Sequence, residues 1–317
     1  MPDVPTRGFM DTVDAYPSRF CPCCGNFVDG PFRPGPGGRP DASCPRCGSL
    51  ERQRFLALLL GALRPSLKPI GTLLDIAPSP QVSAMLGELR PARTLRVDLG
   101  ADPRTVDAYA SLTALPLPDR SVDFLICYHV LEHVPDDRAA MRELARVLAV
   151  GGVGLVQVPW RRDSDTDEDP SAPEDERLRR FGQADHVRWY GRDLETRLME
   201  CGLAVRRTDP RALVGEALCG LLRLNPEEAV WLISADEAPT LAIPDLADVT
   251  GLVRTFDAVV GRLSRERAQR DRARARVQRL KDRTARLEAA AGRSLPRRLA
   301  AGARARTRRI VDRTRSR

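Results

Sequence analysis

The middle of the chain alternates short apolar runs with amphipathic stretches. The apolar runs are bounded by polar and turn residues, which is typical of buried β-strands. They lie at residues 72–77, 93–100, 121–130, 153–159, 203–210 and 229–236. Between them, apolar residues at helical spacing predict helices at 49–63, 80–89, 136–152 and 191–202, the third closed by glycines. These repeated units predict an α/β fold with a mainly parallel sheet and helices on both faces.

A long polar segment interrupts this alternation at residues 161–191. It is too long for a plain connection, so we predict a lid or insertion over the functional site. Its acidic run, DSDTDEDPSAPEDE, predicts a solvated surface, because the carboxylates are poorly spaced for a metal.

Three regions follow from these patterns. Residues 1–48 form an N-terminal cysteine-containing segment, residues 49–240 the α/β domain, and residues 241–317 a linker and helical tail. In the tail, apolar residues recur at near-heptad spacing with polar interruptions, which predicts a weak coiled coil and self-association through 252–290. These positions are Leu252, Phe256, Val259, Leu263, Val277, Leu280 and Leu287.

Charge is divided unevenly along the 317 residues, whose net charge is +8. Residues 251–317 contain 22 basic and 6 acidic residues, whereas the rest contains 29 basic and 37 acidic ones. An arginine-rich tail without aromatic residues after Phe256 can contact a membrane surface, a protein or nucleic acid, or remain solvated. No signal-peptide pattern or long apolar run is present, so we predict a cytoplasmic protein, with a peripheral membrane position as the alternative.

Four cysteines form two matching C-P-x-C-G pairs. Cys21 and Cys24 are followed, after nineteen residues, by Cys44 and Cys47. Two such knuckles can hold one ion in the closed tetrahedral site of structural zinc. Cys23 is the ambiguous member, and we leave it out because only the pairing of Cys21 with Cys24 repeats the pattern. The segment is therefore predicted to be zinc-ribbon-like.

Polar residues end three of the predicted strands. Asp75 ends the first strand of the α/β domain, and Asp98 ends the next, 23 residues later. In nucleotide-binding α/β domains, an acid at about that separation binds the ribose hydroxyls. Tyr128 and His129 end a third strand at the same sheet edge. The sequence therefore predicts a nucleotide-type site there.

The stretch LPLPDRSVDFLICYHVLEHVPDDRAAMRELARVLAVGGVGLVQVP resembles the core of class I S-adenosylmethionine-dependent methyltransferases of the type-11 group. The resemblance spans roughly residues 70–235. CPRCGSLERQRFL and RRFGQADHVRWYG also resemble a bacterial subfamily that joins a zinc-knuckle segment to this domain. The resemblance implies a Rossmann-like fold, S-adenosylmethionine as cofactor and methyl transfer.

The resemblance also implies which residues face the cofactor. Asp75 opens the cofactor loop, Asp98 holds the ribose, and His129 faces the methionine part, with Tyr128 beside it. The family's acid next to adenine is replaced, so Ser111 and Leu112 are expected to flank the adenine.

The cofactor turn departs from the family's glycine pattern, because Ala77, Ser79 and Gln81 stand at the glycine positions. Ala77 and Ser79 are small, so the backbone can still approach the cofactor. S-adenosylmethionine has no phosphates, so a full anion cradle is not required. The alternative is a methyltransferase fold that has lost its cofactor.

A hydroxyl acceptor also needs a general base, and histidine is the usual one. We place this role on His129 or on His186 of the lid, and expect His133 and Glu132 to be structural. The predicted function is O-methylation of a small molecule or saccharide. The alternative is a nucleic-acid-associated zinc-knuckle protein whose methyltransferase fold is modifying or vestigial.

Overall fold

The computed structural model describes residues 18–100, 104–236, 272 and 275–286. Contacts divide the chain into a body before residue 248 and a second unit after it. None of the helices in these described ranges combines the length and apolar composition that a membrane span requires.

Eleven strands are seen in the described body. Seven form the central sheet: β3 (Thr72–Ile76), β4 (Arg93–Asp98), β5 (Ala108–Tyr109), β6 (Val122–Tyr128), β7 (Leu148–Gln157), β10 (Ala204–Thr208) and β11 (Val230–Ser234). Four form two small antiparallel ribbons: β1 (Ser18–Cys21) with β2 (Asn26–Asp29), and β8 (Asp167–Glu168) with β9 (Arg188–Trp189).

The α-helices among the described residues of the body are α1 (Glu51–Leu63), α2 (Pro80–Gly87), α3 (Asp137–Val147), α4 (Glu174–Phe181), α5 (Leu194–Glu200) and α6 (Pro210–Leu222). A 3-10 turn, Leu131–His133, follows β6. Two further 3-10 turns lie at Pro36–Gly38 and Arg64–Ser66.

The central sheet has the strand order β10-β11-β7-β6-β3-β4-β5. β3 pairs in parallel with β4 and β6, while β11 runs antiparallel to both neighbours. Ile76 pairs with Val97 and Cys127, so β3, β4 and β6 end at one sheet edge. The prediction of a mainly parallel Rossmann-like sheet is confirmed, with one antiparallel strand.

The core lies on both faces of this sheet. Leu74 and Leu125 pack in one cluster with α3 and α5. Leu73 and Phe124, at alternating positions on the same strands, are also fully buried. Because successive strand residues point to opposite faces, both faces are covered. Helix α1 contacts both α2 and α6.

The glycines expected to close α3 lie elsewhere. The helix ends at Val147 and β7 begins at the next residue, so a helix closed by Gly151 and Gly152 is wrong. Pairing between β6 and β7 shifts register in this region. Gly151 takes a positive φ of 71°. A Cβ on Gly152 would lie 2.9 Å from the Val122 carbonyl oxygen. These glycines therefore permit the bulge.

Little of the predicted tail is described. Residues 275–286 form a helix on which Val277 and Leu280 are 52% and 53% exposed. The other predicted coiled-coil positions lie outside the described residues. Self-association and contact of the tail with a membrane surface, a protein or nucleic acid stay predictions.

Candidate active site

A cavity of about 630 Å³ opens where β3, β4 and β6 end. Ligands of open α/β sheets bind at this edge, at the point where strand order reverses. Five residues predicted to contact the cofactor line the cavity: Ala77, Asp98, Ser111, Leu112 and His129. The structure therefore brings together residues from four separate segments of the sequence.

The turn after β3 keeps a glycine-like backbone without glycine. Ala77 has a φ of +51°, which L-residues rarely adopt. Its N–H donates to the Val97 carbonyl at 2.8 Å and ties the turn to β4. Ser79 caps α2, its hydroxyl accepting from the Val82 N–H. Alanine thus replaces the first glycine of the family pattern but adopts the positive φ that glycine favours.

Asp75 lies beneath this turn and is 1% exposed. The Ser83 hydroxyl of α2 donates to its Oδ2, whereas Oδ1 has no partner among the described residues. Burial raises the pKa of Asp75 to about 6. Asp75 and Ser79 do not line the cavity, so the structure places them in support of the turn.

Asp98 and Ser111 hold the far side of the cavity. Asp98 is half-buried, and its Oδ1 accepts from the Gly100 N–H at 3.1 Å, which fixes the carboxylate at the end of β4. The Ser111 hydroxyl lies 2.7 Å from that of Thr113. Leu112 is 4% exposed and supplies an apolar wall.

A second cavity, of about 530 Å³, adjoins the first. His129 and His133 line both cavities. The second cavity also receives residues from distant parts of the chain: Arg39, Arg52, Glu132, Val158, Pro159, Trp160, Phe181, Gly182, Gln183, His186, Trp189, Asn225, Glu227 and Glu228. A ligand in the first cavity and one in the second would therefore meet at these two histidines.

His129 is held in one orientation. Its φ is +57°, and its N–H donates to the Gln157 carbonyl at 2.8 Å. Left-handed backbone at a non-glycine residue is strained and concentrates at functional sites. Its Nδ1 lies 3.0 Å from Oε1 of the fully buried Glu132. Nε2 is buried and has no partner among the residues described.

Beside His129 lies a partly buried polar group formed by two strands, β6 and β7, and the loop before β11. Gln157 Nε2 donates to Glu228 at 2.7 Å. Burial raises the pKa of Glu228. Burial also raises the pKa of Tyr128 far above its ordinary value, and its hydroxyl has no partner within the described ranges. Tyr128 lines neither cavity, so its position is that of a supporting residue.

The predicted lid, 161–191, brings His186 to the second cavity. His186 is 3% exposed, and burial lowers its pKa, which favours the neutral imidazole. The neighbouring Val187 N–H donates to the Glu132 carbonyl at 2.9 Å. This bond fixes the lid strand beside the 3-10 turn.

Arg188 completes this attachment. It is 1% exposed and donates to the carbonyls of Leu131, Val134 and Pro135. Its Nε also donates to Glu168 at 3.1 Å. The segment from 161 to 191 is therefore bonded tightly to the turn that carries the site.

Carboxylates of the acidic run pair with arginines. Arg180 bonds Asp167 and Asp169, and Arg192 bonds Asp165. The solvated surface expected from the run is thus in part an ion-paired one.

The four predicted metal-binding cysteines come together. One sulfur from each of Cys21, Cys24, Cys44 and Cys47 lies within 4.8 Å of the others. The Sγ atoms of Cys21 and Cys47 are 3.7 Å apart. Zn–S bonds of about 2.3 Å in a tetrahedron place sulfurs about 3.8 Å apart, so the cluster fits zinc. Cys23 lies outside this set.

Crowding and burial act on these thiols. A hydrogen bond with Cys23, followed by burial, raises the pKa of Cys21 to about 11, and burial raises that of Cys24 to about 12. A bound cation would hold the four clustered cysteines as thiolates.

Arg54 joins the cysteine segment to the body. It is fully buried and donates to the carbonyls of Ala42, Ser49, Leu222 and Arg223. The first two belong to the cysteine segment and its exit, and the last two to the end of α6. This role was not predicted, since Arg54 follows other polar residues in a helical pattern and nothing there marks it as buried.

The open α/β sheet thus has one cavity at its strand ends, and a second cavity meets it at His129 and His133. Residues 62–156 match the family model described as Methyltransferase domain. The match covers three-tenths of the chain and includes β3 to β7. It supports a class I, S-adenosylmethionine-dependent methyltransferase domain in this part of the chain.

Curated relatives match over a shorter stretch. A probable S-adenosylmethionine-dependent methyltransferase of Mycobacterium tuberculosis is 44% identical over 59 residues, which are 19% of this chain and 22% of the relative. The ajmaline N-methyltransferase of Rauvolfia serpentina is 32% identical over 71 residues, 22% of this chain and 24% of the relative. The matches thus span less than a quarter of either relative.

Solved structures with similar arrangements were also found. The [4+2]-cyclase SpnF has a TM-score of 0.43 at 14% identity, covering 73% of this chain and 93% of its own. A methyltransferase dependent on the same cofactor, from Archaeoglobus fulgidus, has a TM-score of 0.40 at 13% identity, covering 57% and 93%.

Proposed function

We propose that the chain is an S-adenosylmethionine-dependent methyltransferase that methylates a hydroxyl oxygen of a small molecule or saccharide. The observation that carries this proposal is the meeting of two cavities at His129 and His133. Methyl transfer requires a cofactor site and an acceptor site that share one point, because the reacting atoms must be held in line. The first cavity is assigned to the cofactor and the second to the acceptor.

The residues of the first cavity suit the cofactor. Asp98 would accept hydrogen bonds from the ribose hydroxyls, and Leu112 with Ser111 would flank the adenine. The positive φ of Ala77 keeps the turn close to the cavity wall. When bound, S-adenosylmethionine supplies a methyl group on a sulfonium, which leaves readily. The chain's own task is therefore to position the acceptor and remove its proton.

His129 is the better placed of the two proposed bases. Its Nε2 has no protein partner in the described structure, and its Nδ1 is held by Glu132. A carboxylate at Nδ1 fixes the tautomer and stabilises the imidazolium that forms when Nε2 takes a proton. His186 lines only the acceptor cavity and does not reach the cofactor cavity.

The proposed cofactor site is tested by calorimetric titration of S-adenosylmethionine and S-adenosylhomocysteine into the full chain. We expect saturable binding that Asp98→Ala weakens about tenfold or more, because a charge-assisted hydrogen bond is lost. Asp175→Ala is the control, since Asp175 is exposed on α4 and lines neither cavity. Absence of binding to folded, zinc-loaded protein would contradict the proposal.

An acceptor is first sought by screening phenols, small alcohols and sugars for methylation. The proposed base is then tested with that acceptor. At saturating cofactor, His129→Gln is expected to lower kcat by about 100-fold or more. With a phenol as acceptor, the loss should shrink as pH rises towards about 10, because a phenol that ionises by itself needs no base. An unchanged kcat would remove His129 from the proton transfer.

We also propose a structural zinc ion at Cys21, Cys24, Cys44 and Cys47. A site with four protein ligands has no open position, so its role is in folding.

A further inference from the structure

A second group of metal-ligating side chains lies in the wall of the acceptor cavity. One ligand atom from each of Glu132, His133 and His186 lies within 4.8 Å of the others. All three residues line that cavity. None of them belongs to the cysteine cluster, and only His133 also lines the cavity assigned to the cofactor.

Two of these residues are buried with an unsatisfied atom. Glu132 is fully buried and His186 is 3% exposed. Glu132 Oε2 and His186 Nδ1 have no hydrogen-bond partner in the described part of the chain. An unpaired buried carboxylate oxygen costs free energy, and so does an unpaired ring nitrogen. A cation between them would satisfy both.

The remaining atoms of the same side chains are held by neighbours. His129 Nδ1 lies at 3.0 Å from Glu132 Oε1, which leaves Oε2 available. Asp185 Oδ2 lies at 3.2 Å from His133 Nδ1, which leaves Nε2 available. A carboxylate behind a ligating histidine is a recurrent feature of metal sites, because it fixes the ring and raises its basicity.

The backbone also holds the three residues in place. Glu132 and His133 are adjacent in the 3-10 turn. The bond from Val187 N–H to the Glu132 carbonyl and the contacts of Arg188 fix His186 beside that turn. The rings of His133 and His186 meet edge to face at 4.6 Å. A preformed site of this kind loses little entropy on binding an ion.

We propose that Glu132, His133 and His186 bind a divalent transition-metal ion at the acceptor cavity. Two imidazoles and one carboxylate suit zinc, cobalt, nickel or ferrous iron better than magnesium or calcium, which prefer oxygen ligands. Three protein ligands leave positions open towards the cavity. Metal–ligand bonds of about 2.0–2.2 Å draw the side chains inward from their present spacing.

The chemical consequence rests on the proposed methyltransferase function. An acceptor hydroxyl bound to such an ion loses its proton more readily, and His129 lies next to it to take that proton. The site would favour acceptors with two adjacent oxygen atoms, which can chelate the ion. Metal binding itself is testable without any acceptor or cofactor.

The test is a Co²⁺ titration of the full chain after its metals have been removed by a chelator under reducing conditions. Cobalt bound by the cysteines gives intense thiolate charge-transfer absorption, whereas cobalt bound by two histidines and a carboxylate gives only weak visible bands. We expect binding beyond the amount that the thiolate absorption accounts for. His186→Asn and His133→Asn should each abolish that excess and leave the thiolate bands unchanged.

The two histidine variants guard against misfolding, because His133 is 33% exposed at its side chain and tolerates replacement better than His186. Cys44→Ser is the matched control and should weaken the thiolate bands, because three thiolates remain, while keeping the excess cobalt. Binding that stops when the thiolate bands saturate would overturn the proposal, and so would excess binding that persists in both histidine variants. Neither outcome depends on whether S-adenosylmethionine binds.

Discussion

Replacing Arg54 by methionine should weaken the attachment of the cysteine segment to the body and lower the free energy of unfolding. Methionine keeps the apolar packing of the arginine stem, but it ends short of the guanidinium carbon, which lies 4.7 Å from the centre of the Phe32 ring, so that contact is lost. Also lost is a set of hydrogen bonds to four carbonyls. The substitution therefore measures the polar contribution of one buried side chain.

The magnitude follows from how many of these carbonyls stay without a donor. Ser49 O also accepts from the Cys44 N–H at 2.9 Å, and Arg223 O is only partly buried and can reach water. Ala42 O and Leu222 O are buried in their bonds to Arg54 and have no second described donor. Two orphaned carbonyls cost about 2–6 kcal/mol. Relief from burying a guanidinium offsets part of this, so we expect a loss of about 3 kcal/mol.

Urea denaturation followed by tryptophan fluorescence measures this loss, because Trp231 is buried in the body. Arg64→Met is the control: Arg64 is exposed just after the same helix, and its replacement should change stability by less than about 0.5 kcal/mol. Equal stability of the two variants would refute the reasoning. The reasoning would also be refuted if Arg54→Met lost zinc but left the unfolding free energy of the body unchanged.

Three further predictions concern the site and its support. Asp75→Asn should stabilise the ligand-free protein at pH 7.5 by up to about 3 kcal/mol and have little effect at pH 4. The pKa of Asp75 in the folded protein, about 6, exceeds the ordinary 3.8. Its contribution to folding stability is therefore fully present below pH 4 and is lost as pH rises through 6. Equal effects of the substitution at both pH values in urea denaturation would contradict this. Ala77→Gly should stabilise the protein by about 0.5 kcal/mol and so raise its melting temperature slightly. The strain of about 1–2 kcal/mol in a left-handed alanine is removed, which outweighs the greater conformational entropy that glycine loses on folding. A lower melting temperature would contradict this. Gly191→Ala should cost about 2 kcal/mol or more, because its Cβ would lie 2.2 Å from Ser164 O, whereas Gly61→Ala on α1 meets no atom within 4 Å and should be neutral or stabilising in the same calorimetric scan.

Patterns of apolar residues were sufficient for the central strands but not for all helices. Runs around Leu74, Leu95 and Leu125 became parallel neighbours, because a continuous apolar run fits a strand buried on both faces. Helix α6 was not predicted, since Gly215 at a φ of 76° interrupts its helical pattern. Its signal was present at the start, where Asp209 caps the helix and proline follows.

The cofactor cavity was easier to predict than the acceptor cavity. Its residues follow strand ends, and parallel strands of known order bring their ends together. The acceptor cavity takes Arg39, His186 and Glu228 from segments that local patterns cannot connect. Glu132 and His133 were expected to be structural, because one sequence does not show that His186 comes to lie beside them.

The bonding of residues 161–191 to the turn after β6 has a practical consequence for studying the site. Arg188 and Val187 hold that segment with hydrogen bonds to backbone carbonyls rather than with a hinge. The mouth of the acceptor cavity is therefore formed before any ligand arrives. We expect candidate acceptors and cofactor analogues to diffuse into grown crystals without cracking them, so that soaking can replace co-crystallisation.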